Sequence, residues 1–454
     1  MHEHTDEMSA LADRIIATAR ERVELDPIPL EHPMTEAQLD EACGLTITPE
    51  GIGGDRALDL YNEVLSPASL SVDFTRYLSF VPAAPTEAAV LFDLIVGASS
   101  TYGGSWLEGA GSVWAENQAL DWLRQIAGMP EGAGGVFVPG GTIGNLSAMV
   151  AARHDANLRA GEDRPARWAF LASKESHSSV KAACQVMDAD VILVDTGDDR
   201  RMHGPEVAAA LAEHGDRVCA VVATSGTTNL GLIDDLPSIA DVCEEHGVWL
   251  HVDGAYGGAG LASERTRPLF DGLGRADSFI VDPHKWLFAP FDCCALLYKD
   301  PAKAQAIHAQ HAGYLAFLDA YGDWNPSDFA IHLTRRVRGL PFWFSLATYG
   351  TDAYAEAIDA TLDLTAAAAE RIEAADHLEL ANEPSLSVVA FRRTGWDGAQ
   401  YQAWTEQAMA KGLAFVTPSR LDKQPIFRFC FVNPRTTTDE IDQILADMAE
   451  VPGI

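Results

Sequence analysis

Ser278-Phe279-Ile280-Val281-Asp282-Pro283-His284-Lys285-Trp286 begins as an apolar strand and runs into a lysine. A lysine at the end of a buried strand loses water, and desolvation disfavours its charged form. A neutral amine attacks an aldehyde, so Lys285 is a candidate Schiff-base former. The chain has seven lysines, none before Lys174, and most are expected to be solvated surface charges. One strand-end lysine is more often structural than catalytic, so the case for chemistry depends on partners elsewhere.

Working outward, the same kind of run recurs at Val136–Val138, Trp168–Ala172, Val191–Val194, Ala220–Ala223, Val248–Val252 and Ala295–Tyr298. Helical stretches such as Asn145–Arg153 and Ile239–Glu245 lie between most of them. Continuous apolar runs alternating with helices predict an α/β chain with a mostly parallel sheet covered on both faces. Ligands in such sheets bind beyond the carboxyl ends of the strands.

At 454 residues the chain exceeds one typical core, so several domains are expected. Residues 1–85 read as a helical segment with little core of its own, packing on something else such as a second subunit. It contains an amphipathic stretch from Asp13 to Glu24 and a capping-box pattern at Thr35 and Gln38. Residues 86–340 form the large domain. Its last forty residues are mixed, with a basic cluster Arg335-Arg336-Val337-Arg338 and a candidate mobile loop. Residues 341–454 read as a small α+β domain, with a helix over Asp352–Ala375 and strands at Leu386–Phe391, Ala414–Val416 and Ile426–Phe431. A closing helix starts at Thr437.

Four places fall at expected strand ends or in glycine-rich turns. Val138-Pro139-Gly140-Gly141-Thr142-Ile143-Gly144-Asn145 offers a tight turn and a helix N-terminus, which suit a phosphate. A plain strand-to-helix turn explains it equally well. His177, in Ser176-His177-Ser178-Ser179, could stack on a flat ring or move protons; a structural hydrogen bond is the commoner role of a lone histidine. Asp253, in His251-Val252-Asp253-Gly254-Ala255-Tyr256, ends an apolar strand and needs a cation, which a protonated pyridine would supply. Ala255 is small enough for a ring to lie over it, although an N-capping aspartate is common at such turns. His284-Lys285 is the fourth, and Thr224-Ser225-Gly226-Thr227-Thr228 adds a hydroxyl-rich strand end. Together these are the four functions that pyridoxal phosphate needs from a protein: phosphate cup, ring cover, pyridinium partner and imine-forming lysine.

The net charge of −34 argues against nucleic acid and anionic membranes as partners. It fits solubility, a high-salt cytoplasm or compositional bias alike. No run of ~18 apolar residues suggests a membrane span. Met1-His2-Glu3-His4 does not open like a secretory signal, so a cytoplasmic location is expected. Seven cysteines without C-x-x-C fit a reduced compartment. The absence of H-E-x-x-H or Cys/His metal spacing makes metal catalysis an unexpected reading.

Val281-Asp282-Pro283-His284-Lys285-Trp286-Leu287, followed by Phe291-Asp292-Cys293, resembles the lysine motif of the group II amino-acid decarboxylases. That family includes the aromatic L-amino acid, glutamate, cysteine sulfinate and histidine enzymes. Residues Pro139–Asn145 resemble its glutamate-type phosphate loop. Ser176–Val180 and His251–Tyr256 resemble its ring-stacking and pyridinium motifs. The resemblance extends from about residue 70 to the C-terminus.

It implies the aspartate aminotransferase-like fold (PLP fold type I), with a seven-stranded mostly parallel sheet and a homodimer whose active sites are shared. It makes Lys285, His177 and Asp253 catalytic. Lys285 is implied to hold the cofactor, Asp253 to pair with its ring nitrogen and His177 to stack on the ring. Gly141, Thr142, Ile143, His284 and Asp282 are implied around the phosphate or neighbouring groups, Thr227 near the ring edge and Ala255 beneath it. Phe80, Pro82, Ala83 and Trp106 fall near the substrate side chain, with Glu108 and Trp114 altering the pocket. An apolar wall favours an aromatic or medium aliphatic L-amino acid, decarboxylated to its amine; Glu108 could instead receive a cationic side chain. In the aromatic-type enzymes a loop tyrosine returns a proton to Cα. That position falls near Pro326 here, with Tyr321 offset, leaving Tyr321, His177 or water as the acid. An aldehyde synthase, a lyase or an aminotransferase on the same scaffold is the alternative; an aminotransferase would use Arg428 to grip the carboxylate. Intact Lys285, Asp253 and His177 argue against a non-catalytic binder.

Overall fold

The computed structural model describes residues 2–310 and 324–452. Its centre is a seven-stranded sheet: β1 Gly134–Val138, β2 Ala169–Ser173, β3 Asp190–Val194, β4 Val218–Thr224, β5 Trp249–Asp253, β6 Ser278–Val281 and β7 Cys294–Tyr298. The spatial order is β1-β7-β6-β5-β4-β2-β3. Strands β6, β5, β4, β2 and β3 pair in parallel, whereas β7 runs antiparallel to both neighbours. All seven expected strands form. The largest displacements are at the starts of β1, at Gly134 rather than Val136, and β4, at Val218 rather than Ala220.

Every residue of β2, β4, β5, β6 and β7 is buried, which is why these segments read as unbroken apolar runs. Alternate residues feed opposite faces. Phe137, Leu171, Val221, Leu250 and Phe279 enter one core, while Val136, Val138, Phe170, Val222 and Ile280 enter the other. Hiding both faces leaves only the strand ends open to a ligand.

The C-terminal region carries an antiparallel sheet of order β10-β11-β9-β8, built from β8 Leu378–Leu380, β9 Val388–Arg393, β10 Ser419–Leu421 and β11 Gln424–Cys430. The expected strand at Ala414–Val416 is only a bridge between Phe415 and Tyr77. Its neighbour there is the extended segment 76–79, since Leu78 N donates to Phe415 O and Cys430 N to Leu78 O. The long helix starts earlier than expected, at Leu340 with Pro341 in its first turn, and breaks at Gly350, whose φ of 79° is unfavourable for other residues. Capping boxes form at Thr35/Gln38 and Thr437/Glu440.

The basic cluster is structural. Arg335 is buried and reaches both oxygens of buried Glu116 at 2.8 Å, while Arg336 pairs with Asp93 and Arg338 with Asp292. The helix Asp6–Val23 buries none of its residues in this chain. Among the described residues no helix is long and apolar enough to cross a membrane.

Candidate active site

A cavity of about 440 Å³ lies beyond the carboxyl ends of β1, β2, β4, β5 and β6. Glycine makes its first wall. Gly140 has φ 116° and precedes the helix Gly141–Ala160. A Cβ on Gly141 would stand 3.1 Å from Ala255 Cβ and 3.2 Å from Asp282 Oδ2, so only glycine keeps this cradle open. The amides of Gly141 and Thr142 precede the first acceptor of a 20-residue helix and sit at its positive end. That arrangement fits a phosphate.

His177 follows β2 and Asp253 ends β5, two strand ends with β4 between them. His177 caps the helix Ser178–Val186, its Nδ1 accepting from Ser179 N at 3.2 Å. Asp253 is 5% exposed. Its Oδ1 accepts from Ala255 N at 3.1 Å and its Oδ2 from Asn145 Nδ2 at 2.8 Å. Neither donor carries a formal charge, and among the described residues no basic side chain makes ion-pair contact with it. A protonated ring nitrogen supplies the cation that such a carboxylate lacks.

Lys285 lines the same cavity, but not as desolvation alone predicts. Burial pushes its pKa down, yet the charge and hydrogen bond of Asp282, with the charge of Asp253 beside them, push it up, and the net shift is upward. Lys285 Nζ lies 2.9 Å from Asp282 Oδ2. Burial likewise pushes the Asp282 carboxyl up, and the charges of Lys285 and His284 bring it below its ordinary value. The pair therefore rests as ammonium and carboxylate. Asp282 Oδ1 and the hydroxyl of Thr224, both buried and without a protein partner, also belong to cavity-lining residues. Phosphate cradle, lone carboxylate, lysine and unpartnered oxygens all fit pyridoxal phosphate.

Residues 63–394 match the family model described as the pyridoxal-dependent decarboxylase conserved domain. This chain belongs to the pyridoxal-dependent decarboxylases. An aromatic-L-amino-acid decarboxylase of Bacillus atrophaeus is 30% identical over 82% of this chain and 80% of its own. An L-2,4-diaminobutyrate decarboxylase of Rhizobium meliloti is 34% identical over 80% and 74%. The crystal structure of the glutamate decarboxylase domain of a Vibrio parahaemolyticus diaminobutyrate enzyme is 26% identical, with TM-score 0.84 over 98% of this chain and 96% of its own. An Oryza sativa TDC crystallised with PLP and tryptamine shares the fold, with TM-score 0.91 at 23% identity and 99% coverage of both chains. The decarboxylase is thus a carboxy-lyase that uses pyridoxal phosphate.

Several expected site residues stand elsewhere in the decarboxylase. Asp282 faces Lys285, and an anionic carboxylate repels phosphate rather than holding it. Thr227 turns its Oγ1 to Leu232 N at 3.1 Å, and Thr224, Gly226 and Thr228 line the cavity instead. Ile143 packs its side chain into the core, and its N donates to Gly140 O. Trp106 starts a helix and donates its N to Asn325 Oδ1; Glu108 accepts from Ser105 Oγ; Trp114 is exposed. Phe80 and Val81 reach the cavity, whereas Pro82 and Ala83 are buried behind them. Tyr321 lies outside the described residues.

Arg428, weighed above only for transamination, lines the cavity and donates from Nη1 to Phe80 O at 2.7 Å. Asn145, Ser179, Phe291 and Asp292 also line it and had no assigned role. Asn145 carried one readable signal: an amide on the buried side of a helix, one turn after the glycines.

Proposed function

We propose that the decarboxylase removes the α-carboxylate from an L-amino acid with an aromatic or medium apolar side chain and releases the amine. The supporting observation is the apolar wall of Phe80, Val81 and Phe291 facing His177 and Lys285. Asp292 on the same wall is already paired with Arg338, so it is a poor receptor for a second substrate amine. When bound, the cofactor supplies an aldehyde that condenses with amines and a protonated ring that takes up electrons left by the departing carboxylate.

The chain's own residues do the rest. The first turn at Gly141 and Thr142 holds the phosphate. Asp253 would keep the ring nitrogen protonated, and Lys285 would supply the amine that holds the cofactor. His177 would lie against the ring, and Arg428 would orient the substrate from the wall it shares with Phe80. CO₂ detection over a panel of L-amino acids tests this reading. Aromatic substrates are expected to give kcat/KM at least about tenfold above 2,4-diaminobutyrate, the scale set by a few buried methylenes. Equal or reversed preference would refute it.

A second reading rests on Pro326, which opens a 3-10 turn where the aromatic-type pattern calls for tyrosine. Slow return of a proton to Cα leaves that carbon open to dioxygen. The substrate, O₂ and water then yield aldehyde, CO₂, ammonia and peroxide. Peroxide and aldehyde appearing in step with CO₂ would establish that outcome, whereas amine alone supports simple decarboxylation.

We also infer a homodimer. Ile15, Ile16, Leu45 and Ile47 in the N-terminal segment are 46%, 61%, 79% and 89% exposed, a large apolar surface for a chain of such charge. Light scattering is expected to give twice the 48.9 kDa chain mass. A monomer that is fully active would overturn shared sites.

A further inference from the structure

Trp249, His251 and Asp253 alternate along β5 and so share one face of a fully buried strand. Polar groups there must be satisfied internally, because an unpaired buried one keeps its full desolvation penalty. They are satisfied by one continuous chain. Trp249 Nε1 donates to Ser278 Oγ at 2.8 Å. Ser278 Oγ lies 2.8 Å from His251 Nδ1, and His251 Nε2 lies 2.8 Å from Asn145 Oδ1. Asn145 Nδ2 then divides between Asp253 Oδ2 and Ser179 Oγ, both at 2.8 Å. Ser179 Oγ continues to His177 Nδ1 at 2.8 Å.

The direction of every bond follows from its fixed ends. Trp249 is a donor only, and Asp253 as a carboxylate is an acceptor only. Asn145 must turn both amide hydrogens toward Asp253 and Ser179, so its Oδ1 faces His251 and requires Nε2–H there. Ser278 then gives its hydrogen to Nδ1 of His251. Burial, opposed by the Asp253 charge and the Ser278 bond, holds His251 at a pKa of about 4, so the ring is neutral as this pattern demands. At the other end, His177 Nδ1 accepts from Ser179 N, which leaves Nε2 to carry a ring proton.

We propose that Asn145 is a positioning residue whose single amide sets Asp253 and His177 together, with His251 locking the amide's orientation. It rests on the reading that Asp253 meets the cofactor's ring nitrogen and His177 its face. Through Asn145, the group that holds the ring nitrogen and the group that presents a proton above the ring share one hydrogen-bonded support. A flipped amide would point Oδ1 at the Asp253 carboxylate and leave His251 facing a second donor.

Titration of apoprotein variants with pyridoxal phosphate, read by absorbance, tests the arrangement without turnover. Asn145→Ala and His251→Leu are each expected to weaken cofactor affinity about 10- to 100-fold, the usual effect of removing an outer partner of a binding group. His251→Gln keeps a donor for Asn145 Oδ1 and is expected to recover most of that loss, which a merely space-filling role would not produce. Native affinity in Asn145→Ala, or equal damage from Gln and Leu at position 251, overturns the proposal. Ser179→Ala cuts only the branch to His177 and is the milder variant should Asn145→Ala fold poorly. It is expected to shift the pH profile of kcat, and an unshifted profile also overturns the branch. Failure of the underlying site reading looks different: Lys285→Ala would then keep covalently held cofactor.

Discussion

Lys285→Ala is expected to abolish the yellow, covalently held form of the cofactor and to lower turnover on the order of 10⁴-fold or more, as loss of a nucleophile does elsewhere. Among the residues lining the cavity, Lys285 is the one lysine. Reduction with borohydride followed by peptide mass mapping should place the adduct on Lys285 in the native chain and nowhere in the variant. A retained adduct would sink the assignment. Asp282 gives the same lysine a pH signature. Burial alone lowers the amine's pKa, and Asp282 at 2.9 Å reverses the sign. Asp282→Asn removes the main upward push and leaves burial opposed by Asp253, so the amine is free at lower pH than in the native chain. Cofactor capture by the apoprotein variant should therefore reach its plateau at lower pH than in the native chain. Superimposable pH–rate curves would show that Asp282 does not control the proton on Lys285.

Strand positions were legible because the central sheet is dry on both faces. Burial at every position of β2, β4, β5, β6 and β7 forces unbroken apolar runs, and chemistry collects where those runs stop. Lys285, Asp253 and His177 stand out for that reason. The C-terminal sheet was harder to read: β8 and β10 are three residues each and partly exposed, so they bury too little to leave a pattern. Phe415 looked like a strand because it is apolar, but its partner is Tyr77, more than 300 residues away in sequence. Asn145 was the deepest omission. Its meaning comes from partners on β5 and on the helix Ser178–Val186, and such pairings have no period along a chain. Lys285 shows a second limit: burial was foreseen, but the sign of its pKa shift depended on a neighbour three residues away whose orientation only the turn 282–285 defines, with Lys285 N donating to Asp282 O.

Asp253→Ala is expected to lower kcat about 10²–10³-fold, the range seen when one preorganised electrostatic partner is removed from a dry site. The carboxylate sits 5% exposed at the end of β5, where low dielectric makes its attraction for a positive ring nitrogen strong. Its two oxygens already accept from Ala255 N and Asn145 Nδ2, so it is held in place before any ligand arrives. Substitution strands both donors, at about 1–3 kcal/mol each, and part of the effect will therefore appear as lost stability. Asp253→Asn separates the two contributions. It keeps the shape and one acceptor oxygen and loses the charge, so melting should fall less than in Asp253→Ala while kcat falls as far, because a neutral amide cannot hold a proton on the ring nitrogen. Its NH₂ group must also meet the Asn145 donor or turn away from it, which couples this position to His251 through the same amide. Thermal melting and kcat measured on both variants, with cofactor saturating, decide the matter: an unchanged kcat in Asp253→Asn would exclude the electrostatic role, whereas an equal fall in kcat in both variants with melting lowered more in Asp253→Ala places the effect on the charge itself.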